Sequence, residues 1–303
     1  MSLIRTDLAV EAREIAQGAG ALEGVVSEEE KHGDVTLTRV KVLDERGEKA
    51  IGKPVGTYVT VEVPNLGDAE DEIFFNALDA VASELELMLK PVGDGEVLVA
   101  GLGNATMTPD AIGPRCVENV LVTRHIAGEL SHIAGFENLR PVAAVAPGVL
   151  GQTGVEAGEI LMALVTKIKP VAVIVVDALA SRRASRLGKT VQMSDTGIVP
   201  GSGVNNARFA VNRQTLGVPV ISVGVPTVVD AATLAVDLME GAGVNTDEQQ
   251  RGQIRACVGD NPMFVTPRFI DTIVEHASRL TGLAINRALN PSISLEDMTA
   301  LIS

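Results

Sequence analysis

The sequence predicts an α/β fold, a mostly parallel sheet sandwiched by helices, with additions at both ends. Three observations predict it. Short apolar runs at 97–100, 142–145, 171–176 and 218–223 are separated by stretches with helical character, the alternation expected of a sheet covered on both faces. The chain has no Trp, one Tyr and six Phe, so Val, Ile, Leu and Ala must fill the core, which suits parallel strands buried on both sides. Hydrophobic residues make up 46% and charged residues 21% of 303, a globular composition long enough to enclose a sizeable core.

Taken in order, residues 1–56 are polar and rich in charge. Within them Val35-Thr36-Leu37-Thr38 alternates as a half-buried strand does, and residues 58–63 repeat the pattern. Residues 71–89 read as a helix, acidic at the start where the helix dipole is positive. The run at 97–100 enters Gly101-Leu102-Gly103-Asn104, and residues 154–169 read as a helix ahead of the run at 171–176. Beyond Asp230 the chain reads as helical, most clearly at 267–289 with Pro267 near the start. Residues 246–252 are polar and read as a loop. The organisation predicted is one domain over 1–303, with an α/β core at about 95–235 and a helical part at about 230–303. Ligand-handling loops belong at the carboxyl ends of the parallel strands.

The formal net charge of −14 repels phosphate, so nucleic acid is not expected as a direct ligand. Two cysteines, Cys116 and Cys257, make no disulfide framework and suit a reducing compartment. The first residues lack a signal-peptide core, and the run at 171–176 is far too short to span a bilayer. A cytoplasmic protein without membrane contact is expected.

Two acidic residues stand out. Asp177 follows the run Val171-Ala172-Val173-Ile174-Val175-Val176, and Asp110 lies in the loop after the run at 97–100. If those strands are parallel neighbours, both carboxylates reach one edge of the sheet. Two carboxylates held close cannot easily both ionise, so one can keep a proton and polarise a carbonyl while the other activates water. The bland alternatives are a helix cap at Asp110 and a backbone-tying aspartate at Asp177. Asp195-Thr196-Gly197 occurs once, in a pattern wrong for the all-β aspartic proteases that use such a motif in pairs; with Gly201-Ser202-Gly203 it reads as a flexible loop able to line a site. His32, His125, His132 and His276 show no metal-binding spacing, and no Cys-x-x-Cys or Gly-x-Ser-x-Gly occurs. No metal and no cofactor are expected, and Cys116 reads as a small buried residue.

Several segments together resemble the germination protease family of endospore-forming bacteria. They are Arg5-Thr6-Asp7-Leu8-Ala9-Val10-Glu11-Ala12; 101–114, with Thr108-Pro109-Asp110-Ala111-Ile112-Gly113-Pro114; Gln152-Thr153-Gly154 with Glu156; Val176-Asp177-Ala178-Leu179-Ala180-Ser181-Arg182; Ser194-Asp195-Thr196-Gly197-Ile198 with 200–204; and 223–230. The resemblance spans nearly the whole chain. It implies an endopeptidase for small acid-soluble spore proteins, acting in the forespore or spore core, with Asp110 and Asp177 as the two essential aspartates. Gly101, Gly103, Asn104, Thr153, Gly154, Asp195, Gly201 and Ser202 fall in the loops that would line the site. It also implies a homo-tetramer and a zymogen whose N-terminal segment, about 1–9, is removed. Thr6-Asp7-Leu8-Ala9 before Val10-Glu11 has the order of residue types in the family's cleavage motif, which points to self-processing between Ala9 and Val10. A more distant similarity to hydrogenase maturation endopeptidases suggests the same fold and leaves open a nickel-dependent alternative. An inactive homologue that only binds spore proteins is the other alternative.

Overall fold

The computed structural model describes residues 5–17, 22–64, 72–126, 139–201, 209–259 and 263–302. Among these, nine strands form one mixed sheet in the order β1-β2-β3-β7-β8-β6-β4-β5, with β9 added to β8. The parallel part is β5 (Val142–Val145), β4 (Val97–Gly101), β6 (Ala172–Ser181) and β8 (Val220–Asp230). β7 (Thr190–Ser194) runs antiparallel to β8, and β3 (Gly56–Glu62), β2 (Val35–Val42) and β1 (Val25–His32) continue the sheet antiparallel. The sheet therefore reaches well ahead of residue 95, through strands whose sequences alternate apolar and polar.

Helices cover both faces, and the period of two in each strand decides which helix a residue meets. Val97, Val99, Ile174 and Val176 point to a layer made by α3 (Glu72–Leu89), α4 (Ile112–Val117) and α10 (Ile270–Leu289). Leu98, Ala100, Val173 and Val175 point to the other layer, α6 (Ala157–Ile168) and α7 (Arg213–Leu216). The short helix α5 (Leu150–Thr153) precedes α6. Leu280 of α10 is fully enclosed between α3 and the sheet; truncating such a side chain to alanine costs about 2–5 kcal/mol. α1 (Ala9–Gln17) packs with α2 (Glu45–Ile51) on the antiparallel part, where Ala9, Val40, Val42, Ile51 and Tyr58 form a separate small core. The Tyr58 hydroxyl donates to the Pro54 carbonyl at 2.8 Å.

Two sequence expectations need correction. Residues 246–252 are not a loop: Asp247 caps α9 (Glu248–Val258). Its side chain accepts the Gln250 amide at 2.8 Å, and the Gln250 side chain accepts the Asp247 amide at 2.9 Å. This reciprocal cap starts a helix whose faces are mostly polar, so no apolar period announces it. The strands begun by the runs at 171–176 and 218–223 are also longer than those runs. β6 and β8 go on pairing from Asp177↔Gly224 to Ser181↔Val229, with a register shift between Leu179 and Ala180. Asp177, Gly224 and Pro226 interrupt the apolar pattern without interrupting the ladder. At the far end of β8, Asp230 caps α8 (Ala231–Gly241), and β9 (Phe264–Val265) pairs with Val229 and Asp230. α11 (Leu295–Ile302) closes the described chain.

Candidate active site

β4 ends at Gly101, opposite Val176 of β6. One residue further, Asp177 of β6 has lost that neighbour, and its flank opens into a cavity of about 470 Å³. Asp110, Asp177 and Asp7 all line this cavity. The two aspartates singled out from sequence thus reach one site from adjacent parallel strands, and a third, from the N-terminal segment, joins them.

The loop that carries Asp110 folds back tightly on the sheet. Gly103 has φ +111°, and a Cβ there would lie 2.1 Å from the Asp110 carbonyl oxygen. A Cβ on Gly113 would meet the Leu102 carbonyl at 2.2 Å and the Val176 carbonyl at 2.5 Å. Both positions need glycine because backbone packs on backbone. Asp110 ends a 3-10 turn, Thr108–Asp110. Its Oδ2 accepts the Asn104 amide at 2.9 Å. The turn is held from outside as well. Thr227 of β8 donates to the Pro109 carbonyl at 2.6 Å, and Thr108 donates to Asp271 of α10 at 3.0 Å. Asn104 Oδ1 accepts from Gln152 Nε2 at 2.8 Å, which ties the loop to α5.

Asp177 is 5% exposed, and its Oδ1 accepts the Ala178 amide at 2.9 Å. Burial raises its pKa well above the ordinary carboxylate value, the charges of Asp110 and Asp7 push it further, and the Ala178 bond opposes them. Burial and the neighbouring charges both favour the protonated form of Asp177.

Asp7 was not singled out from its residue type, although it stands within the first matching segment. Its Oδ2 accepts the Ala180 amide at 2.8 Å, and its own amide donates to the Ala180 carbonyl at 2.9 Å. Residues 5–8 are thereby clipped along the end of β6. Glu11, fully buried, fastens the next turn: its carboxylate accepts the Arg182 amide at 2.6 Å and the Arg183 amide at 3.0 Å, and pairs with Arg186 at 3.4 Å.

The other sequence candidates divide. Gly103, Asn104 and Gly201 line the cavity. Gly101 lies under it, packed against Gly113. Thr153 and Gly154 are not in its lining; they end α5 beside it, whereas Val149 and Glu156 on either side do line it. Asp195 lies away from it, with Oδ1 accepting the Thr57 amide at 2.8 Å to join β7 to β3. Ser202, Gly203 and His132 fall outside the described residues. Ala9 and Val10 are buried in the first turn of α1. The apolar walls come from Met107, Val149, Ile198, Val199, Phe209 and Phe264; Met107 and Ile198 lie in matching segments but were not singled out, and Val149, Val199 and Phe209 carry no local signal. His32, His125 and His276 do not line the cavity, and among the described residues no three His, Cys, Asp or Glu side chains gather as a metal-ligand set. Cys116 is a fully buried residue of α4 facing the core, and burial pushes its thiol far up. Among the described residues no helix is long and apolar enough to cross a membrane.

A sequence profile of germination proteases matches residues 4–253. The chain is 43% identical over 325 aligned residues to the germination protease of Clostridium perfringens, with 99% of each covered. It is 40% identical over 324 to that of Clostridium tetani, again with 99% of each covered. Against that of Caldanaerobacter subterraneus subsp. tengcongensis it is 43% identical over 322, with 99% of this chain and 98% of the relative covered. Among solved structures, a NiFe hydrogenase maturation protease from Thermococcus kodakarensis aligns at 18% identity and a TM-score of 0.37, covering 68% of this chain and 98% of that one. The profile match and the length of these alignments show that the chain is a peptidase that belongs to the germination protease family.

Proposed function

We propose that the chain is an endopeptidase that begins the breakdown of small acid-soluble spore proteins during germination, with Asp110 and Asp177 as its catalytic carboxyl pair. The observation that carries this reading is the shared cavity, in which Asp177, buried and with its pKa raised, lies within electrostatic reach of Asp110. In the proposed reaction Asp110, as carboxylate, takes a proton from a water whose oxygen adds to the scissile carbonyl carbon. Asp177 gives its proton to the carbonyl oxygen. When the tetrahedral intermediate collapses, the C–N bond breaks, the leaving nitrogen takes the proton gained by Asp110, and Asp177 recovers its own from the hydroxyl. The long apolar walls suit an extended peptide with a large apolar residue near the bond.

The zymogen, the spore-core location and the homo-tetramer belong to the same proposal. Residues 5–8 bring Asp7 into the cavity, so an N-terminal segment that limits access is consistent with the contacts. A cut between Ala9 and Val10 requires α1 to open first, because both residues are buried. The charge of −14 supports action on spore protein free of DNA. The test is incubation of the purified chain with a small acid-soluble spore protein, with and without saturating duplex DNA. Cleavage of the free protein, slowed by DNA, is the expected result. Sequencing the new amino terminus of the enzyme follows self-processing, and light scattering follows the tetramer. No cleavage by the wild-type chain, or equal cleavage by an Asp110→Asn, Asp177→Asn double variant, removes the assignment.

A further inference from the structure

Beside the carboxyl pair, three donors converge on one side-chain atom. Asn104 Oδ1 accepts the Thr106 amide at 3.0 Å, the Thr106 hydroxyl at 2.8 Å and Gln152 Nε2 at 2.8 Å. A carboxamide has one oxygen that accepts and one nitrogen that donates. Three donors on the same atom fix it as the oxygen, so the nitrogen takes the opposite arm. Neither Thr106 nor Gln152 lines the cavity, whereas Asn104 does. The arm that carries Nδ2 accordingly faces the cavity, and among the described residues it donates to no acceptor.

The main chain sets where this nitrogen stands. Beyond Gly101 the Leu102 amide donates to the Val176 carbonyl at 2.7 Å, which carries the chain past β4 along the flank of Asp177. Gly103 turns it, and the Asn104 amide then meets the Asp110 carbonyl at 3.0 Å and the Asp110 carboxylate at 2.9 Å. One residue thus fastens Asp110 through its backbone and presents two N–H groups through its side chain. The carboxyl pair alone leaves one demand unmet. Asp177 gives its proton to one lone pair of the scissile carbonyl oxygen, and that oxygen has a second. None of the groups involved belongs to residues 1–9, so loss of that segment leaves the arrangement whole.

We propose that Asn104 is a catalytic residue whose Nδ2 donates a hydrogen bond to the carbonyl oxygen of the scissile bond, with Thr106 and Gln152 as the residues that aim it. The proposal rests on the endopeptidase reading. As the water oxygen bonds to the carbonyl carbon, the π pair of the C=O bond moves onto the oxygen. The proton of Asp177 meets one lone pair there, and the Asn104 N–H meets another. The carboxamide keeps both its protons throughout. A donor fixed in place before the reaction needs no reorganisation as charge develops, and its bond strengthens toward the transition state.

The test compares oxygen with sulfur at the acceptor. A fluorogenic peptide spans a bond that the wild-type chain cuts in a small acid-soluble spore protein, and its twin carries a thioamide at that bond. Sulfur accepts hydrogen bonds weakly, so a donor aimed at this atom favours the oxo peptide. Asn104→Ala should lower kcat on the oxo peptide by about 10²-fold with KM within about threefold, and should shrink the oxo-to-thioxo ratio of kcat/KM by about tenfold or more. Asn104→Asp, which keeps an oxygen for Thr106 and Gln152 but has no donor at neutral pH, should do at least as much. Gln152→Ala, which keeps the donor but loosens its aim, should fall between these variants and wild type in both readings. The acidic limb of the pH–rate profile, which reports Asp110, should stay within about half a unit of wild type in Asn104→Ala. The proposal is overturned if both Asn104 variants keep the wild-type ratio, the mark of a donor aimed at the water or of a merely structural role. It is also overturned if KM alone changes, or if the acidic limb moves by more than about one unit, which shows that the loop has carried Asp110 away. A wild-type ratio near one overturns it before any variant is made, so failure of a variant to fold does not protect it. If the wild-type chain cuts neither spore protein nor peptide, the endopeptidase reading falls and the donor role with it. If it cuts and the ratio ignores Asn104, only the donor role falls.

Discussion

Asp177 on β6 and Asp230 on the neighbouring β8 are both buried, at 5% and 2% exposure, and their surroundings drive them in opposite directions. Asp230 receives Arg255 Nη2 at 2.7 Å, Arg5 Nη1 at 3.5 Å, and the Thr233 amide and hydroxyl at 2.9 and 2.8 Å. Burial pushes its pKa up, but Arg255 and Thr233 outweigh that and hold it below the ordinary value. Asp177 receives the amide of the next residue and faces the charges of Asp110 and Asp7. Burial alone does not set the charge of a carboxyl; the partners buried with it do. One aspartate is held toward its anionic form and anchors a helix, and the other is held toward its acid form at a cavity.

The largest effect should separate the two by activity. Asp177→Asn and Asp110→Asn should each lower kcat/KM by about 10³-fold or more, while circular dichroism and melting show an intact fold. The loss corresponds to roughly 4 kcal/mol of barrier, and turnover within tenfold of wild type in either variant would end the assignment. Next in size, Asp230→Asn should cost about 2–3 kcal/mol of stability, measured by urea unfolding. It strips the counter-charge from Arg255 and weakens the cap of α8, with the arginines' partial water contact reducing the penalty of a broken buried pair.

The third effect has the opposite sign. Asp177 has a raised folded-state pKa, so its contribution to stability is full below the ordinary carboxylate value and is lost as pH rises through the raised one. Asp177→Asn should therefore melt higher than wild type at neutral pH, by on the order of 1–2 kcal/mol. That gain should vanish as pH falls below about 4, where the carboxyl is protonated folded or unfolded. Asp230, with a depressed pKa, has stability that is present above the ordinary value and lost as pH falls through the depressed one. Melting curves of the two variants from pH 3 to 8 that run parallel to wild type would collapse the contrast. The smallest effect belongs to Asp195→Asn, which keeps an oxygen able to accept the Thr57 amide; activity within about threefold of wild type and a stability change under about 1 kcal/mol are expected.

The parallel strands were legible because their cores are unbroken aliphatic runs, Asp177 because it sits just past such a run, and Asp110 because it lies in the loop after one. What the sequence hid follows from physical causes. The polar starts of the extensions of β6 and β8 look like strand ends, since the ladder between them needs only backbone groups. α9 shows no apolar stripe because it lies on the surface with no buried residue. Asp7 reaches the cavity through a contact between residues 173 apart. No local pattern encodes such juxtapositions; they exist only once the sheet has formed. Asp195 shows the converse: a loop rich in glycine beside an acid has the composition of a site as well as of a strand-joining turn, and its carboxylate joins β7 to β3.

The aliphatic core also gives the molecule a spectroscopic signature. With no Trp and a single Tyr, its intrinsic ultraviolet emission comes almost wholly from one phenol. Tyr58 is 4% exposed beside Ala9 and Ile51, and burial pushes its hydroxyl up to about 12, so it stays neutral across the working pH range. Its brightness and lifetime therefore answer to whether α1 is seated against β3. A stopped-flow trace of tyrosine emission would time the departure of the N-terminal helix without a label.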